Sequence, residues 1–226
     1  LRMAYVDVGS AMARVAVRVG RQELVYVDQR LLGHVSWLNG ARTFDAAKVM
    51  VRGKNVSCDV FMASVVTLND LAFNTSDFGA SRITGAYATA GKLVPRASVE
   101  PYLYYRYGRA QRSEAGPLGD LQQATLGLRW VGTLPAKADY NVEVAMQRGS
   151  LGSDSVRAWA GHWMLRETLT KKYAVKTFGE FNYASGDASA TDGVRRTFDQ
   201  LYPTPHDKIG LADQVGWRNI HHARAG

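Results

Sequence analysis

AMARVAVRV, residues 11–19, places Val15, Val17 and Val19 on one parity and Arg14 and Arg18 on the other. Strict period two is the mark of a strand with one apolar and one polar face. The pattern repeats along the chain. Lys48, Met50 and Arg52 oppose Ala47, Val49 and Val51; Glu100, Tyr102, Tyr104 and Arg106 oppose Val99, Leu103, Tyr105 and Tyr107. Gln123, Thr125 and Arg129 oppose Ala124, Leu126, Leu128 and Trp130, and Asn141, Glu143 and Gln147 oppose Tyr140, Val142, Val144 and Met146. Lys176, Glu180 and Asn182 stand against Val175, Phe181 and Tyr183. About ten strands follow, near 1–7, 11–19, 43–52, 55–65, 80–90, 97–107, 122–132, 139–148, 155–166 and 173–184, each end placed to within roughly 2–4 residues. One of them resists: a facing of 155–166 that turns Arg157 inward also turns Trp159 and Trp163 inward and His162 outward, so its facing stays open.

The connections between these strands alternate in length. Short turns fall near 8–10, 52–54, 91–96, 133–137 and 167–172; between them lie 20–42, 66–79, 108–121 and the shorter 149–154, then a polar, Gly- and Pro-bearing tail from 185. Short turns on one rim and long loops on the other is the plan of an outer-membrane barrel, short side periplasmic. A soluble sandwich also alternates, but its strands usually run about five or six residues. These run longer. Tyr5, Tyr87, Tyr107, Trp130, Tyr140, Tyr173 and Tyr183, near strand ends, suit interfacial girdles.

Composition leaves a membrane barrel open. The chain has 226 residues, enough for one large domain, and 46% of them are hydrophobic, which excludes a disordered polyelectrolyte despite 28 Lys and Arg against 20 Asp and Glu. No apolar run reaches the 18 or so residues of a helical span, a test that barrel strands of about 9–11 residues do not have to pass. The start, Leu1-Arg2-Met3-Ala4, has neither initiator Met nor apolar signal core, so the chain reads as mature or cut from something longer. Its one cysteine, Cys58, forms no internal disulfide and no thiolate zinc site. It reads as a small apolar side chain in a strand.

Taking the polar parity as lumenal collects Arg14, Arg18, Lys48, Arg52, Arg82, Arg106, Arg129, Arg157 and Lys176 against Asp7, Asp59, Glu100, Glu143 and Glu180. Base outnumbers acid, and a narrow low-dielectric channel focuses that surplus to attract anions and repel cations. Arginine holds a carboxylate in a two-pronged bond yet releases it when neighbouring sites compete, so a ladder of arginines passes a polyuronate from hand to hand. The alternative is that these charges pair with one another across the lumen and fill it.

Other motifs are weaker. Ser185 with His206 and Asp207 lacks a nucleophile elbow, so no catalytic residue and no enzyme is expected. His221 and His222 with Asp187, Asp199, Asp207 and Asp213 lack ligand-loop spacing, so no metal and no cofactor is expected. Asn55-Val56-Ser57 and Asn74-Thr75-Ser76 fit a glycosylation sequon by chance.

Four stretches resemble the alginate export family of outer-membrane proteins: GRQELVYVDQRLLG at 20–33, WLNGARTFDAAKV at 37–49, YASGD at 183–187, and TFDQLYPTPHDKIGLADQVGWRN at 197–219. The last is the most specific. The resemblance implies an all-β, antiparallel transmembrane barrel with long extracellular loops, of which the strands here are part of a set of roughly eighteen. On that reading residues 1–226 are one barrel domain, an internal fragment incomplete at both ends, and 185–226 is a long extracellular loop leading into the next strand. Arg21, Arg30 and Arg42 lie in the matched stretches and become candidates for lining or constricting the pore, beside Arg14, Arg18, Lys48 and Arg129. Asp28 and Asp45 would orient those arginines, with Glu100 and Glu143 as lumenal acids.

The expected activity is an outer-membrane channel for an anionic polysaccharide such as alginate, in contact with outer-membrane lipid and periplasmic export machinery and with no nucleic-acid partner. The alternatives are a general porin preferring small acidic solutes and a soluble β-rich domain that binds acidic glycan.

Overall fold

The computed structural model describes residues 2–9, 13–38, 40–135, 138–170, 175–206 and 208–226. They form one sheet of twelve strands: β1 (Ala4–Val8), β2 (Val15–Gln22), β3 (Phe44–Arg52), β4 (Val56–Val65), β5 (Ser81–Val94), β6 (Ala97–Arg112), β7 (Leu118–Thr133), β8 (Asp139–Leu151), β9 (Asp154–Thr170), β10 (Val175–Ala184), β11 (Val194–Arg195) and β12 (Ile220–Ala225). Neighbours in sequence pair antiparallel from β1 through β10, and β12 returns to pair with β10. β11 adds a short parallel bridge to β9. Among the described residues there is no helix, and β1 and β12 are the two ends of the strand order, not paired with each other. Barrel closure is therefore not part of the observed architecture.

Period two fixed the two faces of most strands. On β7, Leu121, Gln123, Thr125 and Gly127 are buried, while Leu126 is 61% exposed and Leu128 and Trp130 lie open beside it. On β4, Asp59, Phe61 and Ala63 are buried against exposed Val60 and Met62. The buried face is concave. Strands two apart lie about 9.6 Å apart in a flat sheet, yet the Phe61 and Tyr104 rings of β4 and β6 sit 6.1 Å apart over Gly85 of β5. Likewise Tyr102 of β6 reaches Glu143 of β8 at 2.7 Å over Gly127 of β7. A side chain on either glycine would collide with those rings.

Several expectations change. The expected loop 108–121 shrinks to 113–117 and 149–154 to 152–153, because β6, β7 and β8 extend as hydrogen-bonded ladders beyond their amphipathic portion. Polar residues on both sides of those extensions hide them from a periodicity reading. β2 lies later than 11–19, and Ala11 and Met12 fall outside the described residues. β11 and β12 were read as tail: IHHARA has no apolar parity, and only its pairing with β10 makes it a strand. β9 turns Ala158, Ala160 and His162 into the concave face and Arg157, Trp159 and Trp163 outward, so Arg157 leaves the lumenal set. Arg82 leaves it too, because it lies on the outer face over the Tyr107 ring. Tyr5 and Tyr87 belong to the concave parity, whereas Tyr107, Trp130, Tyr140 and Tyr183 remain outside; Tyr173 falls outside the described residues.

Candidate functional site

Two of the long connections, 23–43 after β2 and 185–219 after β10, fold into the concave face and fill it. Leu24, Tyr26, Leu31 and Leu32 from the first and Phe198, Leu201, Tyr202, Ile209 and Trp217 from the second share one buried cluster with residues of β3 to β6 and β8 to β10. The two segments also bond to each other through their backbones, with a parallel bridge between Leu32 and Tyr202. Tyr202 N–H donates to Leu31 O, Gly33 N–H to Tyr202 O, and Thr204 N–H to Gln29 O, each at 2.9 Å. Arg42 donates from one segment to Pro203 O of the other at 2.7 Å and to Gly33 O at 3.1 Å. Val27 and Val35 hold positive φ of 56° and 52°, a costly conformation for a β-branched residue that the surrounding packing imposes.

Three anchors pin this plug to the strands. In the first, Arg30, only 5% exposed, donates to Asp28 at 3.0 Å, to Asn182 Oδ1 at 3.2 Å and to His162 Nε2 at 3.2 Å, with Glu180 at 3.6 Å. A guanidinium only donates, so His162 accepts at Nε2 and gives its Nδ1 proton to Asn182 Oδ1 at 2.8 Å. Asn182 then donates to Glu180 at 2.8 Å and to His222 at 3.1 Å. Glu180 also takes Arg224 of β12 at 2.6 Å.

In the second anchor, Gln147 of β8 pairs with the Asp199 backbone as a neighbouring strand would. Its amide donates to Asp199 O at 2.6 Å and accepts from Asp199 N–H at 2.9 Å. The Asp199 carboxylate meets Arg106 of β6. In the third, the Tyr26 ring stacks on Phe61 and its hydroxyl donates to Asp59 at 3.1 Å. Burial, then the Asp59 charge, push that hydroxyl well above the ordinary tyrosine range, so it stays a donor. Arg42 is shifted the other way, lowered by burial. At the plug's outer end burial raises the Asp187 carboxyl, but backbone N–H donors from Arg196 and Ser189 outweigh it and hold it below the usual range.

The candidate residues divide among these surroundings. Arg18 of β2 lies on the concave parity, bidentate to Asp7 at 2.7 and 2.8 Å and over the Tyr5 ring. Lys48 sits 3.9 Å from Asp59, which also takes Arg52. Arg129 bonds Glu100 and Asn141, each at 2.9 Å, and Glu100 accepts from Tyr87 at 2.8 Å. Glu143 is buried, its second carboxylate oxygen without a partner among the described residues. Arg30, Arg42 and Asp28 belong to the plug. Arg14 is exposed in the turn before β2, and Lys176 is exposed near the start of β10. Arg21 and Asp45 are cross-strand partners on the outer face, joined at 2.8 and 3.0 Å.

Arg18, Arg30, Arg106, Arg129 and Arg224 thus each meet a carboxylate on the concave face or its plug, and Lys48 and Arg52 share Asp59. Sequence reading missed His162, Asn182, Gln147, Asp199 and Tyr26 as members of this site. Only the matched stretches around 20–33 and 197–219 flagged their neighbourhood. The other motifs dissolve: Ser185 donates to Arg196 O at 2.6 Å and accepts from Trp159 N–H, while His206 faces Asp213 and the Trp37 ring. Asp207 falls outside the described residues, and among the rest no three His, Cys, Asp or Glu converge to hold a metal.

A comparison with family models finds a match over residues 1–226 to the model described as alginate export. A search of curated proteins finds no match.

Proposed function

From the premise that this chain belongs to the alginate export family, a family of outer-membrane transport channels and not of enzymes, we propose that its sheet is wall to an anion pathway through the outer membrane. The cargo is an anionic polysaccharide of the alginate kind. One observation carries the reading: the exposed face of the sheet is the apolar one, and the covered face is the charged one. Leu126, Leu128 and Trp130 lie open while Glu143 and Glu180 of the opposite face are 1% and 5% exposed. Water as the outer solvent selects the reverse, and lipid selects this.

On this proposal Arg18, Lys48 and Arg129 line the pathway with their partners Asp7, Asp59 and Glu100, and Arg30 and Arg42 belong to its plug. A uronate carboxylate competes with a protein carboxylate for the same two-pronged guanidinium bond, so it exchanges into a site whose charge is already balanced. Passage then proceeds by successive exchanges and requires the plug of 23–43 and 185–219 to yield. The rim of long connections faces outward and the short turns face the periplasm, where export machinery delivers the chain.

Planar-bilayer conductance of the full-length protein tests this. We expect anion preference that oligouronates block, and a fall in that preference when Arg18, Lys48 and Arg129 are replaced by Gln. Unchanged selectivity sinks the arginine pathway. Selectivity without oligouronate block favours a general porin for small acidic solutes.

A further inference from the structure

Of the three longest connections, 66–80 between β4 and β5 goes the other way. It folds over the outer face of the sheet, held by the ion pair that stands there. Arg21 donates to Asn74 O at 3.0 Å, and Asp45, its cross-strand partner, accepts from Ser76 at 2.8 Å. The covering is visible on β4: Ser64, on the outer parity and paired with Asp45, is 1% exposed, whereas Val60 and Met62 further along the same face are open. Two backbone groups close the loop on itself, Thr67 N–H to Thr75 O at 2.8 Å and Asn69 N–H to the Asn74 side chain at 2.9 Å. Asn69 in turn accepts from Leu71 N–H at 3.0 Å. This shaped tip presents Leu71 at 98% and Phe73 at 94% exposure.

Large apolar side chains left almost wholly uncovered on a hydrogen-bonded turn mark a contact surface. The geometry points to lipid as the occupant: we propose that Leu71 and Phe73 insert into the outer leaflet beside the wall. The tip continues the apolar outer face, whose Val15, Val17, Val19, Val49, Val60 and Met62 lie directly below the Arg21–Asp45 pair on β2 to β4. A charged pair on the lipid side is tolerated near the interface and not at mid-depth. That places the clamp at headgroup level and the tip at the headgroup–acyl boundary, where amphipathic anchors bind. Arg21 and Asp45 act as positioning residues.

The inference rests on the membrane reading above, and the experiment separates the two. Cys58 is the one cysteine of these 226 residues, so Cys58→Ser, with any cysteine outside them also replaced by Ser, clears the background for a nitroxide at Phe73→Cys or, as a wall control, at Leu126→Cys. The labelled full-length protein is placed in phosphatidylcholine–phosphatidylglycerol vesicles, and collision with oxygen, enriched in lipid, is compared with collision with a water-soluble nickel chelate. We expect oxygen to dominate several-fold at both positions. Nickel dominance at 73 with oxygen dominance at 126 overturns the anchor alone, as does shielding of 73 from both. Nickel dominance at both overturns the membrane reading together with the anchor. Adding Arg21→Ala should move the label at 73 toward water while 126 stays in lipid; no movement removes the positioning role of the clamp.

Discussion

Adjacent on β7 but facing opposite ways, Thr125 is fully buried beneath the plug and Leu126 is 61% exposed. The contrast extends over the whole sheet. Its concave face carries a core of charges bonded to one another and to the plug, whereas its convex face is mainly apolar, with Leu126, Leu128 and Trp130 open. Polarity therefore does not tell which face is covered; what fills the space does. The concave face is covered because two loops enter it, and on the proposed reading the convex face is covered by lipid.

The largest effect that would sharpen this contrast lies at Arg30. Replacing it with Ala leaves Asp28 without its guanidinium, removes a donor from His162 and Asn182, and frees one end of the plug. We expect a loss of about 3–5 kcal/mol in thermal unfolding of the detergent-solubilised protein, the range for breaking one side of a buried charged pair. Bilayer recordings should show more frequent openings. Arg30→Lys should fail to rescue, because a single ammonium cannot reach Asp28, Asn182 and His162 in three directions. Rescue by lysine would mean that charge alone holds the plug.

Next comes the convex face. Leu126→Arg should cost about 2–4 kcal/mol if that face meets the bilayer centre, read as a fall in the membrane-inserted, heat-resistant fraction. In a protein whose convex face meets water the same change is close to neutral and raises solubility. No other single substitution divides the two surroundings so directly.

Sequence alone reached far into the first half of this comparison and little into the second. Strands with one convex, apolar face and one plug-side face kept period two, and β3, β6, β7 and β8 were legible from Lys48, Glu100, Gln123 and Glu143 outward. β9 was not, because beneath the plug its concave positions are Ala158 and Ala160: with apolar residues on both faces, alternation carries no sign. The plug anchors were illegible for a different reason. Arg30 finds His162 and Asn182 132 and 152 residues away, and no local periodicity encodes an encounter at that separation. Arg21 shows the same limit from the other side. It lies in a matched stretch, yet strand parity and loop 66–80 set it on the convex face.

A smaller expected effect tests the second anchor. Gln147→Leu keeps the volume and removes both hydrogen bonds to the Asp199 backbone, stranding a buried N–H and C=O. The penalty for such groups is about 1–3 kcal/mol, and it should appear as lost amide-exchange protection at Asp199 with the rest of β8 unchanged. If protection persists, Arg106 alone suffices to seat residue 199.

The smallest effect is expected at Arg18 and Asp7, and its size says something the larger ones cannot. Their bond is two-pronged and short, at 2.7 and 2.8 Å, yet the side chains are 26% and 39% exposed because β1 lies at the end of the strand order. Exposed pairs are screened by water and salt and give up side-chain freedom to form. A double-mutant cycle with Arg18→Gln and Asp7→Asn should therefore find coupling within experimental scatter, and less still at high salt. Arg129 and Glu100, at 15% and 10% exposure, should show clear coupling in the same experiment. Were Arg18 and Asp7 to couple as strongly as Arg129 and Glu100, and to resist salt, the β1 edge would have to be covered in the working protein. The contrast between a packed interior and an open edge would then give way to one continuous enclosed lumen.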